Sequence, residues 1–143
     1  MDLQEISDRL EIADVVTRYT RAIDTGDWNR LDTVFTPDAD IDYVQSGGIH
    51  DTYAVVKSWL AEMLPAFFPH RMHTIGQVDV PWTPGADELE VCAYFDNPMP
   101  MDDGQGGTKI VEVGGIYHHT MVRTPDGWRS RKLVEQVVWK RGL

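Results

Sequence analysis

Apolar residues recur every three or four positions from Leu3 to Ile23, and every second position over most of the chain beyond residue 70. The first spacing belongs to an amphipathic helix and the second to strands with one buried face. Within residues 3–24 one row runs through Ile6, Leu10, Ala13, Thr17, Thr20 and Asp24, broadened by Ile12, Val16, Tyr19 and Ile23. Thr25-Gly26 stops this helix, because glycine takes the left-handed cap at no steric cost. Asp27 opens a shorter helix through Phe35, anchored by Trp28 and Leu31 and closed by Pro37. A strand follows in "ADIDYV", where Ala39, Ile41 and Tyr43 alternate with Asp40 and Asp42.

"SGGIHDTY" reads as a turn, after which Asp51 or Thr52 caps a helix over residues 53–66. Val55, Trp59, Leu60 and Met63 supply its apolar side. Four strands are then expected over residues 71–80, 88–96, 108–123 and 128–139. The last two join through the hairpin turn "TPDG", and "NPMPMDDGQGG" reads as a polar loop. This order predicts an α+β fold, with three helices on one face of a strongly curved, mostly antiparallel sheet. Without βαβ alternation beyond residue 70, a doubly wound sheet is disfavoured. Neither half holds a full set of layers without the other, so residues 1–143 are expected to form one domain.

Thirteen Lys and Arg against 23 Asp and Glu give a formal charge of −10, which argues against a nucleic-acid groove. The single cysteine, Cys92, cannot close an intramolecular disulfide and reads as packing. The acidic start "MDLQEISDRLE" lacks the basic and apolar parts of a secretory leader, and no run reaches 18 apolar residues. A soluble, cytoplasmic protein with no membrane partner is expected.

Asp24 is the acid that needs explaining. Burying an unpaired charge costs several kcal/mol as an order of magnitude, and an acid at a helix C-terminus opposes the macrodipole. Local backbone bonding and catalysis are both open readings of it. His73 shares a strand face with Ile75 and Gln77. Beside a buried carboxylate, such a histidine becomes a base poised near neutral pH. His118 and His119 point to opposite faces, and His119 shares the side of Val113 and Tyr117. His50 lies in a Gly-rich turn and reads as solvated. There is no HxxxH on a helix, no GxGxxG, no P-loop and no GxSxG, so neither metal nor cofactor is expected.

The helical opening followed by "DTGDWNRLDTVFTPDADIDY" resembles the SnoaL-like branch of the NTF2-like superfamily, and within it the scytalone dehydratases most closely. In those enzymes a catalytic aspartate ends the first helix, a "KDWDRL" stretch follows, and a catalytic tyrosine closes an "IDY" strand. Asp24, "GDWNRL" and Tyr43 match without a gap, and the family's central histidine falls on His73. "GGIY" at 114–117 is similar to the "GGTY" of the hexachlorocyclohexane dehydrochlorinases, which also use an Asp–His pair. One departure stands out: Ile23 occupies the place of a tyrosine in the scytalone dehydratases.

The resemblance implies a cone-shaped fold enclosing an apolar pocket, in a homo-oligomer that is a trimer or a dimer. It implies Asp24, His73 and Tyr43 as catalytic residues. The pocket is expected to draw on Tyr19, Trp59, Phe67, Val113, Tyr117, His119, Met121 and Arg131, with Arg131 or Lys132 in the place of the dehydrochlorinases' late-strand arginine. The implied activity is that of a cofactor-independent lyase. It would eliminate water or halide from a small, mostly apolar, cyclic substrate. A ketosteroid-isomerase-like or polyketide-cyclase-like proton transfer is the alternative among enzymes. A non-catalytic ligand-binding or assembly module is the alternative outside them.

Overall fold

The structure, a computed structural model, describes residues 1–142, so Leu143, the last residue of the expected domain, lies outside the described residues. Helix α1 spans Leu3–Thr25. Asp2 caps it by accepting from the Glu5 backbone N–H at 2.8 Å, and Gly26, at φ 70°, ends it in the left-handed conformation. Its buried stripe runs through Asp8, Ile12, Val15, Val16, Tyr19, Thr20 and Ile23. That corrects the expected row, since Ile6 and Leu10 are exposed. The stripe carries a second inward acid, Asp8, which accepts five hydrogen bonds. They come from Gln4, from the Trp82 and Trp128 indoles, and from both terminal nitrogens of Arg123. Burial of this charge is tolerable because every oxygen lone pair has a donor, two of them cationic.

The expected second helix is a short 3-10 helix, Trp28–Thr33, and strand β1, Phe35–Asp42, already begins ahead of Pro37. Strand β2 is the three-residue His50–Thr52, inside the stretch expected to be a turn. Helix α2 spans Tyr53–Phe67 and buries Tyr53, Val56, Leu60 and Leu64, leaving Val55 exposed. The remaining strands are β3 (Thr74–Asp79), β4 (Glu88–Asp102), β5 (Thr108–Thr124) and β6 (Gly127–Arg141). Helix α1 packs against β6 and α2 against β1. No helix among the described residues is long and apolar enough to cross a membrane.

The six strands form one sheet in the order β2-β1-β6-β5-β4-β3. The expected strongly curved, mostly antiparallel sheet is corrected here. The sheet is mixed, because β1 pairs with β6 in parallel, and it is open rather than closed or strongly curled. More than half of the chain separates β1 from β6, so no hairpin dictates their direction. The outermost strands are three and six residues long, which leaves them as short free edges.

Strand β4 also continues through "NPMPM", the expected loop. It pairs with β5 as far as Asp102↔Thr108, whereas its pairing with β3 goes no further than Asp96. Pro98 and Pro100 therefore lie where one side of β4 has no neighbour, and their missing N–H groups cost no ladder bond.

Strand β6 is interrupted twice against β5. Thr120 faces Lys132 but Met121 faces Ser130, so Arg131 is an extra residue; Gly114 faces Trp139 but Gly115 faces Val137, so Val138 is another. At the second bulge a side chain on Gly115 would sit 1.9 Å from the Gln136 carbonyl oxygen, so only glycine fits. The first bulge reverses which residues face the core. Trp128 and Ser130 point inward before it, Leu133 and Glu135 after it.

Candidate active site

Asp24 sits in the last turn of α1, and His73 lies just before β3. One Asp24 oxygen, Oδ2, accepts from the His73 backbone N–H at 2.8 Å. The other, Oδ1, lies 2.6 Å from His73 Nδ1. Both side chains are largely buried, with 11% and 6% exposure. The carboxylate holds the proton on Nδ1, which leaves Nε2 with its lone pair available on the other side of the ring. Arg71 fixes the segment that carries His73. Its Nε donates to the Ile23 carbonyl at 2.9 Å and its Nη1 to the Phe68 carbonyl at 2.8 Å. The guanidinium also offsets the unfavourable placing of Asp24 at a helix C-terminus.

His73 lines a cavity of about 70 Å³ together with Tyr19, Ile23, Tyr43, Ser46, Trp59, Leu60, Tyr117 and Glu135. An adjoining chamber of about 190 Å³ shares Ser46, Trp59 and Glu135 with it. Its other walls include Met63, Phe68, Met99, Val111 and Val113, with Asn97 among them. The Tyr43 and Tyr19 hydroxyls are hydrogen-bonded to each other, and the Tyr43 ring stacks against Trp59 at 6.3 Å between centroids. Burial raises the pKa of both phenols, so each stays a neutral O–H capable of donating.

Glu135 is the ionisable member of this site that sequence reasoning missed, and Ser46, Phe68, Asn97 and Met99 are lining residues it also missed. Burial raises the Glu135 carboxyl to about 7. The hydroxyls of Ser46 and Tyr117 pull it down and Asp42 adds to the rise. The signal that could have found it is an acid spaced two residues from both Leu133 and Val137 in an apolar strand. Among the described residues no three His, Cys, Asp or Glu side chains converge as a metal site.

Of the residues expected here, Asp24, His73, Tyr43, Tyr19, Trp59 and Tyr117 come together around the first chamber, and Val113 lines the second. Four others line neither chamber. His119 is fully buried behind Tyr19 and Tyr117, its Nδ1 donating to Ser130 Oγ at 2.8 Å. Met121 is core. Phe67 points outward while its neighbour Phe68 takes the place in the wall. Arg131, extruded at the β6 bulge, pairs with Glu88 on the surface. The exposed His50 bonds Asp40 at 2.7 Å.

Residues 4–134 match the SnoaL-like domain family. An uncharacterized protein of Mycobacterium tuberculosis, Rv2910c, is 38% identical over 135 residues, covering 94% of this chain and 88% of that protein. The "Probable cyclase FGR4" of Gibberella zeae is 26% identical over 136 residues, covering 86% of this chain and 87% of that protein. Among solved structures, a hexachlorocyclohexane dehydrochlorinase (LinA) of type 2 superposes with a TM-score of 0.85 at 17% identity, covering 100% of this chain and 93% of that one. The fold is thus related to dehydrochlorinase-type and scytalone dehydratase-type structures. The chain belongs to the SnoaL-like domain family and has the NTF2-like fold.

Proposed function

We propose that this protein is a lyase that works by proton transfer and eliminates a β-leaving group from a small, mostly apolar, cyclic substrate. The observation that carries this reading is the Asp24–His73 pair, 2.6 Å apart on the wall of a small aromatic-lined cavity. His73 Nε2 abstracts a C–H proton next to a carbonyl. Asp24 steadies the imidazolium that forms, as a carboxylate does for any histidine base. Tyr43 donates to the carbonyl oxygen as negative charge develops there. A carbonyl polarised in this way makes the neighbouring C–H acidic enough for an imidazole to remove its proton.

The test uses β-hydroxycyclohexanone in D2O. Carbon-bound hydrogen exchange is followed by NMR and loss of water by mass spectrometry. Replacing His73 with Ala is expected to slow both by roughly a hundredfold to ten-thousandfold. Full turnover by His73→Gln or Asp24→Asn would sink the mechanism. A cyclase-type reaction is the second reading, favoured by the similarity to FGR4 over most of both chains. It uses the same base, and its product keeps every atom of the substrate.

A further inference from the structure

Glu135 stands on β6 where the two chambers meet and lines both. It is 7% exposed, and its Oε1 has no hydrogen-bond partner. Tyr117 faces it from β5 and Tyr19 from α1. Asp42 and Tyr43 approach from the end of β1, Ser46 from the turn that follows, and His73 from the segment before β3. Neither chamber is lined by Lys or Arg. A carboxylate in these surroundings has hydroxyls near it but no counter-charge, so burial favours its protonated form. With its pKa at about 7, a large fraction carries the proton at neutral pH. The group is then a proton donor on the wall of the chamber that His73 also lines.

Resting on the reading of His73 as base, we propose that Glu135 is the acid that protonates a departing hydroxyl, so that the substrate is a ring-bearing β-hydroxy carbonyl compound. A halide leaves as a stable anion and gains little from a proton donor. Hydroxide is a poor leaving group and must depart as water. The second chamber says more about the rest of the molecule. At about 190 Å³, walled by Trp59, Met63, Phe68, Met99, Val111 and Val113, it has the size and polarity for one ring. Asn97 there has a buried Oδ1 without a partner, which accepts from a hydroxyl carried on that ring.

His73 Nε2 takes the C–H proton and the freed electron pair becomes the new C=C bond. The C–O bond breaks, and its oxygen takes the proton of Glu135 and leaves as water. The enzyme is left with a protonated His73 and an ionised Glu135. Transfer of one proton from the first to the second, through solvent, restores the starting state.

Three proteins decide the matter: wild type, Glu135→Gln and His73→Ala, each given β-hydroxycyclohexanone and β-chlorocyclohexanone in D2O. The expected result for Glu135→Gln is a release of water slowed about a hundredfold relative to the loss of chloride by the same variant. His73→Ala loses exchange and both eliminations. Water release at the wild-type rate by Glu135→Gln overturns the role of Glu135 and leaves His73 standing. Loss of exchange in Glu135→Gln overturns it too, since the residue would then be structural. Independently of substrate, infrared titration of the wild type should show a protonated carboxyl stretch that disappears near pH 7 and is missing from Glu135→Gln. Its absence from the wild type overturns the proposal even where neither ketone is turned over.

Discussion

Asp24 holds His73 by two atoms at once, the backbone N–H at 2.8 Å and ring Nδ1 at 2.6 Å. The first contact places the chain segment and the second sets the tautomer. Replacing Asp24 with Asn separates these two effects. An asparagine oxygen can still accept from one N–H, but its amide end cannot accept the other. The variant is expected to fold, to keep substrate affinity within a few-fold, and to lose about a hundredfold or more in kcat. Steady-state kinetics on a turned-over ketone, beside thermal unfolding, gives both readouts. An unchanged kcat would refute the orienting role of the carboxylate.

Asp8 makes a different prediction, about stability. The Arg123 guanidinium holds its carboxyl well below the usual aspartate range, helped by the Trp128, Trp82 and Gln4 donors against the opposing effect of burial. A carboxyl depressed in the folded state contributes stability that is fully present above its unfolded value of 3.8 and lost as pH falls through the lower folded value. Asp8→Asn should therefore be less stable at pH 7 by about 3 kcal/mol, since Arg123 loses its buried counter-charge and the amide nitrogen cannot accept from the donors on its side. Its loss of stability below pH 4 should be shallower than that of the wild type. Unfolding midpoints in urea from pH 2.5 to 7 check both.

Much of this fold is legible in the sequence because side-chain period survives where strands and helices are regular. Helix α2, β5 and the hairpin into β6 stand over the stretches that their apolar spacing marks, and α1 has the expected helical period with its buried stripe turned away from Ile6 and Leu10. Asp24 and Tyr43 are legible from period together with the resemblance, because nothing interrupts the chain between them. Glu135 is not legible by continuous alternation. Counting every second residue from Trp128 puts Lys132, Val134 and Gln136 inside and Glu135 outside. The extra residue at Arg131 shifts that parity, and it also removes Arg131 from the pocket in which it was expected. Asp8 is hidden for another reason. Three of its donor residues, Trp82, Arg123 and Trp128, lie far along the chain, and no local pattern announces them. The parallel β1–β6 pairing is a long-range choice of the same kind.

His119 should govern stability in mild acid. Burial lowers its pKa to about 3, and its Nε2 has no partner that could share a proton. The unfolded chain takes up a proton at about 6.5 that the folded chain refuses, so stability falls as pH drops from 6.5 toward 3. The loss approaches an order of 4 kcal/mol at the acid end of that window. His119→Gln cannot take up this proton, so its stability should vary much less between pH 6.5 and 4. Parallel slopes for variant and wild type over that range would show that the buried imidazole is not responsible.

Glu135 should reveal itself as a cost. Its folded pKa of about 7 stands above the ordinary 4.5, so the folded protein binds this proton more tightly than the unfolded chain does. The stability it contributes is present below pH 4.5 and is lost as pH rises to 7, after which the native state must hold a buried anion. The difference corresponds to about 3 kcal/mol at most. Glu135→Gln keeps the shape and the hydrogen-bonding capacity without the charge. It is expected to match the wild type at pH 5 and to be more stable by one or more kcal/mol at pH 8.5, as an order of magnitude. A protein that becomes sturdier in mild alkali when this side chain is neutralised is carrying the carboxyl for a reason other than folding. Equal stabilities at pH 8.5 would mean that Glu135 ionises freely, and that it holds no proton to give at neutral pH.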